Sequence, residues 1–249
     1  MELSCITKLK AAEILYCSCT AAVVAKSIGC TPEAGGWRAN TNSSSPMHVA
    51  MAAPAIRQEP SATANAQPTC WRCSITWGIQ SCRALGLSMG GNILLHMATQ
   101  QPERIEAMVL VSATMYFPGQ ARKIMQQVPA AAEWSPEEWE AMRKRHKLGD
   151  DQILALSEWQ RGMKDSYDDM NFTPPLLSRI TARTLIVFGD RDPLYPVEIA
   201  VAMYRAIPKS ALWIVPNGGH GPVFFEAAPQ FVQTTLSFLR ASDERPASG

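Results

Sequence analysis

The chain reads as an α/β protein: a mostly parallel sheet flanked by helices, with one long helical insertion. Three observations predict this. Apolar runs at 82–85, 105–112, 184–188 and 211–215 are continuous rather than alternating, the pattern of strands buried on both faces. The first run passes through Gly86-Leu87-Ser88-Met89-Gly90 straight into a helical pattern, a strand-turn-helix unit. The stretch between Ser112 and Thr184 is mostly helical in pattern and separates the second run from the third.

The elements follow in order. Residues 1–77 scatter Ala, Ser, Thr, Cys and Pro without helical or strand period, and the composition changes abruptly at Gly78. Cys82-Arg83-Ala84-Leu85 suits a buried strand. The helix from Gly90 to Gln101 stops before Pro102, which cannot continue it. Ile105–Ser112 is the next strand. Ser135-Pro136-Glu137-Glu138 is a strong helix start, with a capping serine, proline at the first position and glutamate at the third. That helix should run to Lys147, with Gly149 just beyond, and a second from Asp150 to about Lys164. Trp134, Trp139, Trp159, Met125, Met142 and Met163 fall in this insertion. Helically spaced aromatic and Met residues more often pack an insertion's own core than touch a ligand, although such a lining also suits an apolar substrate. Thr184–Phe188 and Ala211–Val215 are strands, Glu226–Leu239 a closing amphipathic helix and Ala241–Gly249 a polar tail, expected to be disordered. The expected division is 1–77, atypical and poorly ordered; 78–240, the α/β domain, with 114–183 as the insertion; and 241–249, the tail.

Composition limits the function. A chain of 249 residues fits one large domain, and a net charge of +1 gives no sign of nucleic-acid binding. No run of eighteen apolar residues exists for a membrane span, and Met1–Lys10 lacks the apolar continuity of a secretory signal. All seven cysteines precede Ser88. Cys70-Trp71-Arg72-Cys73 is a C-x-x-C, but no second pair or histidine pair completes a metal site and no thioredoxin-like pattern surrounds it. The odd count and missing signal point to a reducing, cytoplasmic setting.

Three polar residues stand just after strands, in the chain order serine, aspartate, histidine. Ser88 sits in the G-x-S-x-G turn, Asp192 in Gly189-Asp190-Arg191-Asp192-Pro193, and His220 in Asn217-Gly218-Gly219-His220-Gly221. A serine hydroxyl is a poor nucleophile at neutral pH and needs a base near pKa 7, which imidazole supplies. The imidazole in turn needs a carboxylate to fix its tautomer and balance its charge. Of the four histidines, His96 lies mid-helix and reads as packing or surface, and His146 lies in a basic helix end. Only His220 follows a strand in a glycine-rich loop, while His48 falls in the irregular front segment.

Over Gly78–Arg240 these motifs make the chain resemble the α/β-hydrolase superfamily, in which the triad follows this order. The resemblance implies Ser88 as nucleophile, His220 as general base and acid, Asp192 as orienting acid and the Met89 backbone N–H as an oxyanion-hole donor. Asp190 competes with Asp192, but the family's G-x-x-D spacing favours Asp192 and leaves Asp190 to shape the turn. It also implies that the insertion is a lid over the site. The function implied is a serine hydrolase, carboxylesterase-like, cleaving an ester or related acyl bond of a small, largely apolar molecule through an acyl-enzyme, with no cofactor or metal. A serine in the nucleophile position argues against relatives that use a carboxylate there. The alternatives are an acyltransferase, a ligand-binding relative without catalysis, or an inactive product of the gene.

The front segment departs from the resemblance, which implies further strands, a His-Gly loop giving the second oxyanion amide and a D-x-R-G-H-G-x-S loop. Read one frame over, the codons for Pro46 to Pro54 can spell D-A-R-G-H-G-R-S, with glycine forced across Met51-Ala52. Those for Thr69 to Gly78 can spell V-L-A-L-L-D-H-L-G, with leucine forced across Cys70-Trp71. The segment up to about Trp77 therefore looks like an out-of-frame translation; a divergent extension is the other reading. Sequencing codons 40–80 from independent gene copies tests this. The expected outcome is one extra or missing base near codon 78, with the other frame spelling the hydrolase loop; a confirmed frame with nothing hydrolase-like beside it makes residues 1–77 a true extension.

Overall fold

The computed structural model describes residues 81–146, 149–168 and 170–241, together with the backbone of four strands ahead of them. Those strands are β1 (Ala21–Ala25), β2 (Gly29–Glu33), β3 (Gly36–Asn40) and β4 (Met47–Val49). The rest of 1–77 and the 242–249 tail, including the expected disorder there, lie outside the described residues.

Four parallel strands form the body of the sheet: β5 (Cys82–Leu87), β6 (Ile105–Val111), β7 (Arg183–Gly189) and β8 (Ser210–Val215), side by side in chain order. Each exceeds its predicted strand or matches it to within a residue. Ahead of β5 no parallel strand appears among the described residues. Instead β1 pairs antiparallel with β5, and β4 with β1. This differs from the strandless front segment read in the sequence. The Ala-Ala-Val-Val-Ala backbone gives the N–H and C=O groups on the edge of β5 a partner, which an open edge would lack.

Two apolar layers follow from the period of two along each strand. Ala84, Met108, Leu110, Ile186 and Phe188 face one side, where α1 (Met89–Gln100) and α6 (Val197–Ala206) pack through Leu94, Met97, Ile199 and Met203. Leu85, Ala107, Val109, Val111, Leu185 and Val187 face the other, where α7 (Ala228–Arg240) packs through Phe231 and Leu239. Because strands and helices advance in one direction along the sheet, α1 and α6 fall on the same face, as right-handed crossovers require. Cys82 lies in this core with its thiol pushed up to about 12 by burial.

The insertion leaves after β6 and returns before β7. It holds α2 (Gly119–Met125), α3 (Pro136–Arg145), α4 (Asp150–Gly162) and the short α5 (Pro174–Leu177). The predicted capping box forms: Glu138 N–H donates to Ser135 Oγ at 3.2 Å, and Ser135 N–H to Glu138 Oε2 at 2.7 Å. Arg122 of α2 donates to the carbonyls of Phe117, Met163, Lys164 and Ser166 and lies 3.9 Å over the Tyr167 ring. That spends the guanidinium on tying α2 to the end of α4. The tryptophans and methionines mostly pack among themselves and on the core. Trp134 meets Trp139 edge-on at 5.4 Å, Met125 and Met163 are buried, and Trp159 lies against the core. At both ends the insertion is tied by one neck: Tyr116 bridges Asn171, and Phe172 N–H donates to Met115 O at 2.9 Å.

No helix among the described residues is long and apolar enough to cross a membrane.

The loops after β7 and β8 cross at Gly189 and Gly218. A β-carbon on Gly189 would overlap the Gly218 carbonyl, whereas one on Gly219 meets open space. Gly189→Ala should therefore lower stability by about 1–3 kcal/mol and Gly219→Ala by much less; urea melts of the two variants read the difference.

Candidate active site

The loops at the carboxyl ends of β5, β7 and β8 converge, as ligand-bearing loops do in open α/β sheets. Ser88 stands on the turn between β5 and α1 at φ 51° and ψ −115°, a conformation that non-glycine residues rarely adopt. Two features hold it there. Its N–H donates to Val111 O of the neighbouring strand at 2.7 Å, and its carbonyl accepts from Asn92 N–H at 3.1 Å, opening α1. The turn is tight enough that a β-carbon on Gly86 would overlap the backbone of Gly90 and Gly91, which explains the glycines of the motif.

His220 and Asp192 meet this serine. His220 Nε2 lies 2.9 Å from Ser88 Oγ, and His220 Nδ1 lies 2.9 Å from Asp192 Oδ2. An ionised carboxylate only accepts, so Nδ1 carries the proton and Nε2 presents its lone pair to the serine hydroxyl. The Asp192 side chain is fully buried, and its other oxygen accepts from Leu194 N–H at 2.8 Å and Tyr195 N–H at 3.1 Å. Three donors thus compensate its desolvation. The turn bonds expected of Asp190 come from Asp192 instead, and Asp190 is exposed. The Tyr195 ring meets the His220 ring edge-on at 5.4 Å. Burial, then the Asp192 charge, pushes the Tyr195 phenol well above its usual range, so it stays neutral beside the pair.

Met89 opens α1 directly after Ser88, in the position expected for the oxyanion donor. The segment expected to supply a second donor lies outside the described residues, as do the side chain of His48 and the pair Cys70 and Cys73. His96 and His146 stay away from the site: His96 packs on Phe172 at 4.8 Å, and His146 follows α3.

Sequence reasoning missed the supports. Asn92 is fully buried and its Oδ1 accepts from Thr114 N–H at 2.9 Å, pinning α1 to the segment after β6. Ser112, also fully buried, has φ 47°, and its Oγ accepts from Gly221 N–H at 2.9 Å. A serine closing an apolar run was the only signal for the second. Helix α6 was not read either, although Ile199, Ala200 and Met203 carry helical spacing.

The family model described as "Alpha/beta hydrolase family" matches residues 43–234, well over half of the chain. The chain belongs to this family. The match begins ahead of Gly78, where the motif-based resemblance starts. The human serine hydrolase BPHL is 28% identical over 159 residues, covering 63% of this chain and 54% of that protein. Carboxylesterase YbfK of Bacillus subtilis is 28% identical over 175 residues, covering 65% and 58%. The 2-hydroxy-6-oxo-6-phenylhexa-2,4-dienoate hydrolase of Burkholderia cepacia is 26% identical over 185 residues, covering 65% and 64%. The chain thus spans little more than half the length of the first of these relatives. Among solved structures, MGS-M2, an alpha/beta hydrolase enzyme from a deep-sea metagenome library, superposes with TM-score 0.59 at 17% identity, covering 77% of each chain. The meta-cleavage product hydrolase CumD of Pseudomonas fluorescens gives 0.56 at 16% identity, covering 78% of each. These likenesses are of fold.

Asp192→Ala leaves two backbone N–H groups without an acceptor and should cost about 1–3 kcal/mol of stability, whereas Asp190→Ala, at an exposed position, should stay within about 0.5 kcal/mol. Paired thermal melts check the split.

Proposed function

We propose that this family member is a serine hydrolase that cleaves an ester or related acyl bond of a small, largely apolar molecule. The observation that carries the reading is the unbroken hydrogen-bond line from Ser88 Oγ through His220 to buried Asp192, with 2.9 Å at each junction. His220 takes the Ser88 proton as Oγ attacks the acyl carbon. It then gives that proton to the leaving group, and the acyl group stays on Ser88. Water deprotonated by His220 releases the acid and restores the serine. Asp192 stabilises the imidazolium throughout, and the Met89 N–H faces the negative oxygen of each tetrahedral intermediate. We assign the helical insertion over 114–183 the role of a lid whose apolar side chains favour an apolar acyl group. A reducing, cytoplasmic setting fits the buried Cys82, a free thiol.

A carboxylesterase and hydrolases of dienoate substrates stand together among the relatives. A panel of aryl esters, alkyl esters and such dienoates is therefore the natural first screen. The decisive experiment is labelling with a fluorophosphonate. The expected result is one adduct, mapped to Ser88, which is lost in Ser88→Ala and slowed in Asp192→Asn by about 10³–10⁴-fold, the scale on which a misoriented histidine acts. Turnover of the hit ester should fall in parallel. A folded protein that takes no label at Ser88 sinks the reading, and cooperative melting with tight ligand binding but no turnover would mark a binding protein instead.

A further inference from the structure

The parallel register sets Leu87 beside Val111 and Val111 beside Val187. At the end of β6 two consecutive residues therefore face both neighbours. Val111 O accepts the N–H of Ser88 at 2.7 Å, and Ser112 N–H donates to Val187 O at 2.9 Å, which holds Ser112 in line with β7. The Ser112 side chain then turns to the histidine loop. Its Oγ accepts from Gly221 N–H at 2.9 Å, a buried bond spanning 109 residues of chain. Gly221 adjoins His220 and sits at φ 72°, where the chain reverses after the imidazole. Ser112 itself is fully buried at φ 47°, a backbone that favours glycine. A serine held in a glycine conformation, with its hydroxyl on the residue next to His220, has a side chain with a task that outweighs the backbone cost.

We infer that Ser112 is a positioning residue: through Gly221 it sets the height of the His220 ring over Ser88. This inference rests on the serine-hydrolase reading and adds a residue to it. Val111 and Ser112 form one clamp at the end of β6, fixing the nucleophile turn by a carbonyl and the histidine loop by a hydroxyl. With the hydroxyl gone, the Gly221 N–H is left buried without its partner, and the loop lifts toward water to satisfy it. His220 Nε2 then leaves its 2.9 Å approach to Ser88 Oγ, while the serine and its turn stay in place.

Ser112→Gly is the informative variant, because glycine relaxes the positive φ while deleting the hydroxyl. These two effects oppose each other in stability, so the melting temperature should stay close to that of the unsubstituted chain. Three readouts are expected to move. Hydrogen exchange at the Gly221 amide should speed up at least about tenfold, fluorophosphonate labelling of Ser88 should slow about tenfold, and kcat on the hit ester should fall similarly with KM within about twofold. Ser112→Ala, which keeps the strain and loses the hydroxyl, should show the same kinetic change with a lower melting temperature.

If Ser112→Gly labels and turns over like the unsubstituted chain, the inference is overturned. The same holds if its losses track a fall in melting temperature. A chain that takes no label at all removes the hydrolase reading instead. Gly221 exchange then decides the anchor by itself, since exchange unchanged in Ser112→Gly means the hydroxyl does not hold the loop.

Discussion

The carboxyl edge of the sheet depends on register. Leu87, Val111 and Val187 lie abreast, so the chain leaves β5 and β6 at one level, while β7 runs two residues further to Gly189. From that level Ser88 reaches Val111 O, and Ser112 reaches Val187 O, by bonds that continue the sheet ladder one residue past its strands. A slip by one residue would exchange the two apolar layers, placing Val109 and Leu185 against α1 and Met108 and Ile186 against α7. The register is thus enforced by both cores. The site inherits its geometry from this packing, since Val111 and Val187 of one layer and Tyr195 of the other also bond to or touch its polar residues.

Polar satisfaction does the remaining work. Asp192 is buried but has three donors, two from its own turn and one from His220. Asn92 pins α1 to the segment after β6 through Thr114. Tyr195, neutral because burial opposes its ionisation, puts an uncharged edge against the imidazole. Acceptors and donors around His220 therefore leave one group facing the serine, the Nε2 lone pair.

Much of this was legible in the sequence, and for local reasons. The β5 turn, the capping box at Ser135 and the stop before Pro102 are each written within a few residues, so spacing reveals them. The order of Ser88, Asp192 and His220 was legible because each follows a strand in an identifiable loop. What escaped is non-local. The Ser112 to Gly221 bond spans 109 positions, and nothing in Val111-Ser112-Ala113 announces a positive φ. That Asp192 and not Asp190 also makes the turn bonds was equally hidden, since both fit an Asx pattern and the G-x-x-D spacing speaks only to the acid. In the front segment the run Ala21–Ala25 is apolar but only five residues long, too short for the sequence to say which strand it pairs with.

The neck of the insertion has a consequence of its own. Met115 and Phe172 are joined by a backbone bond, and Tyr116 and Asn171 by a bridge, so everything between them is a closed excursion from one point of the sheet. The entropy of closing a loop grows only slowly with its length. Internal ties such as the Arg122 guanidinium stay within the excursion. The segment is nevertheless no detachable cassette: Gln120 Nε2 donates to Pro193 O at 3.3 Å and Met125 and Met163 pack into the main core, so any rewriting of its length or lining has to replace those contacts.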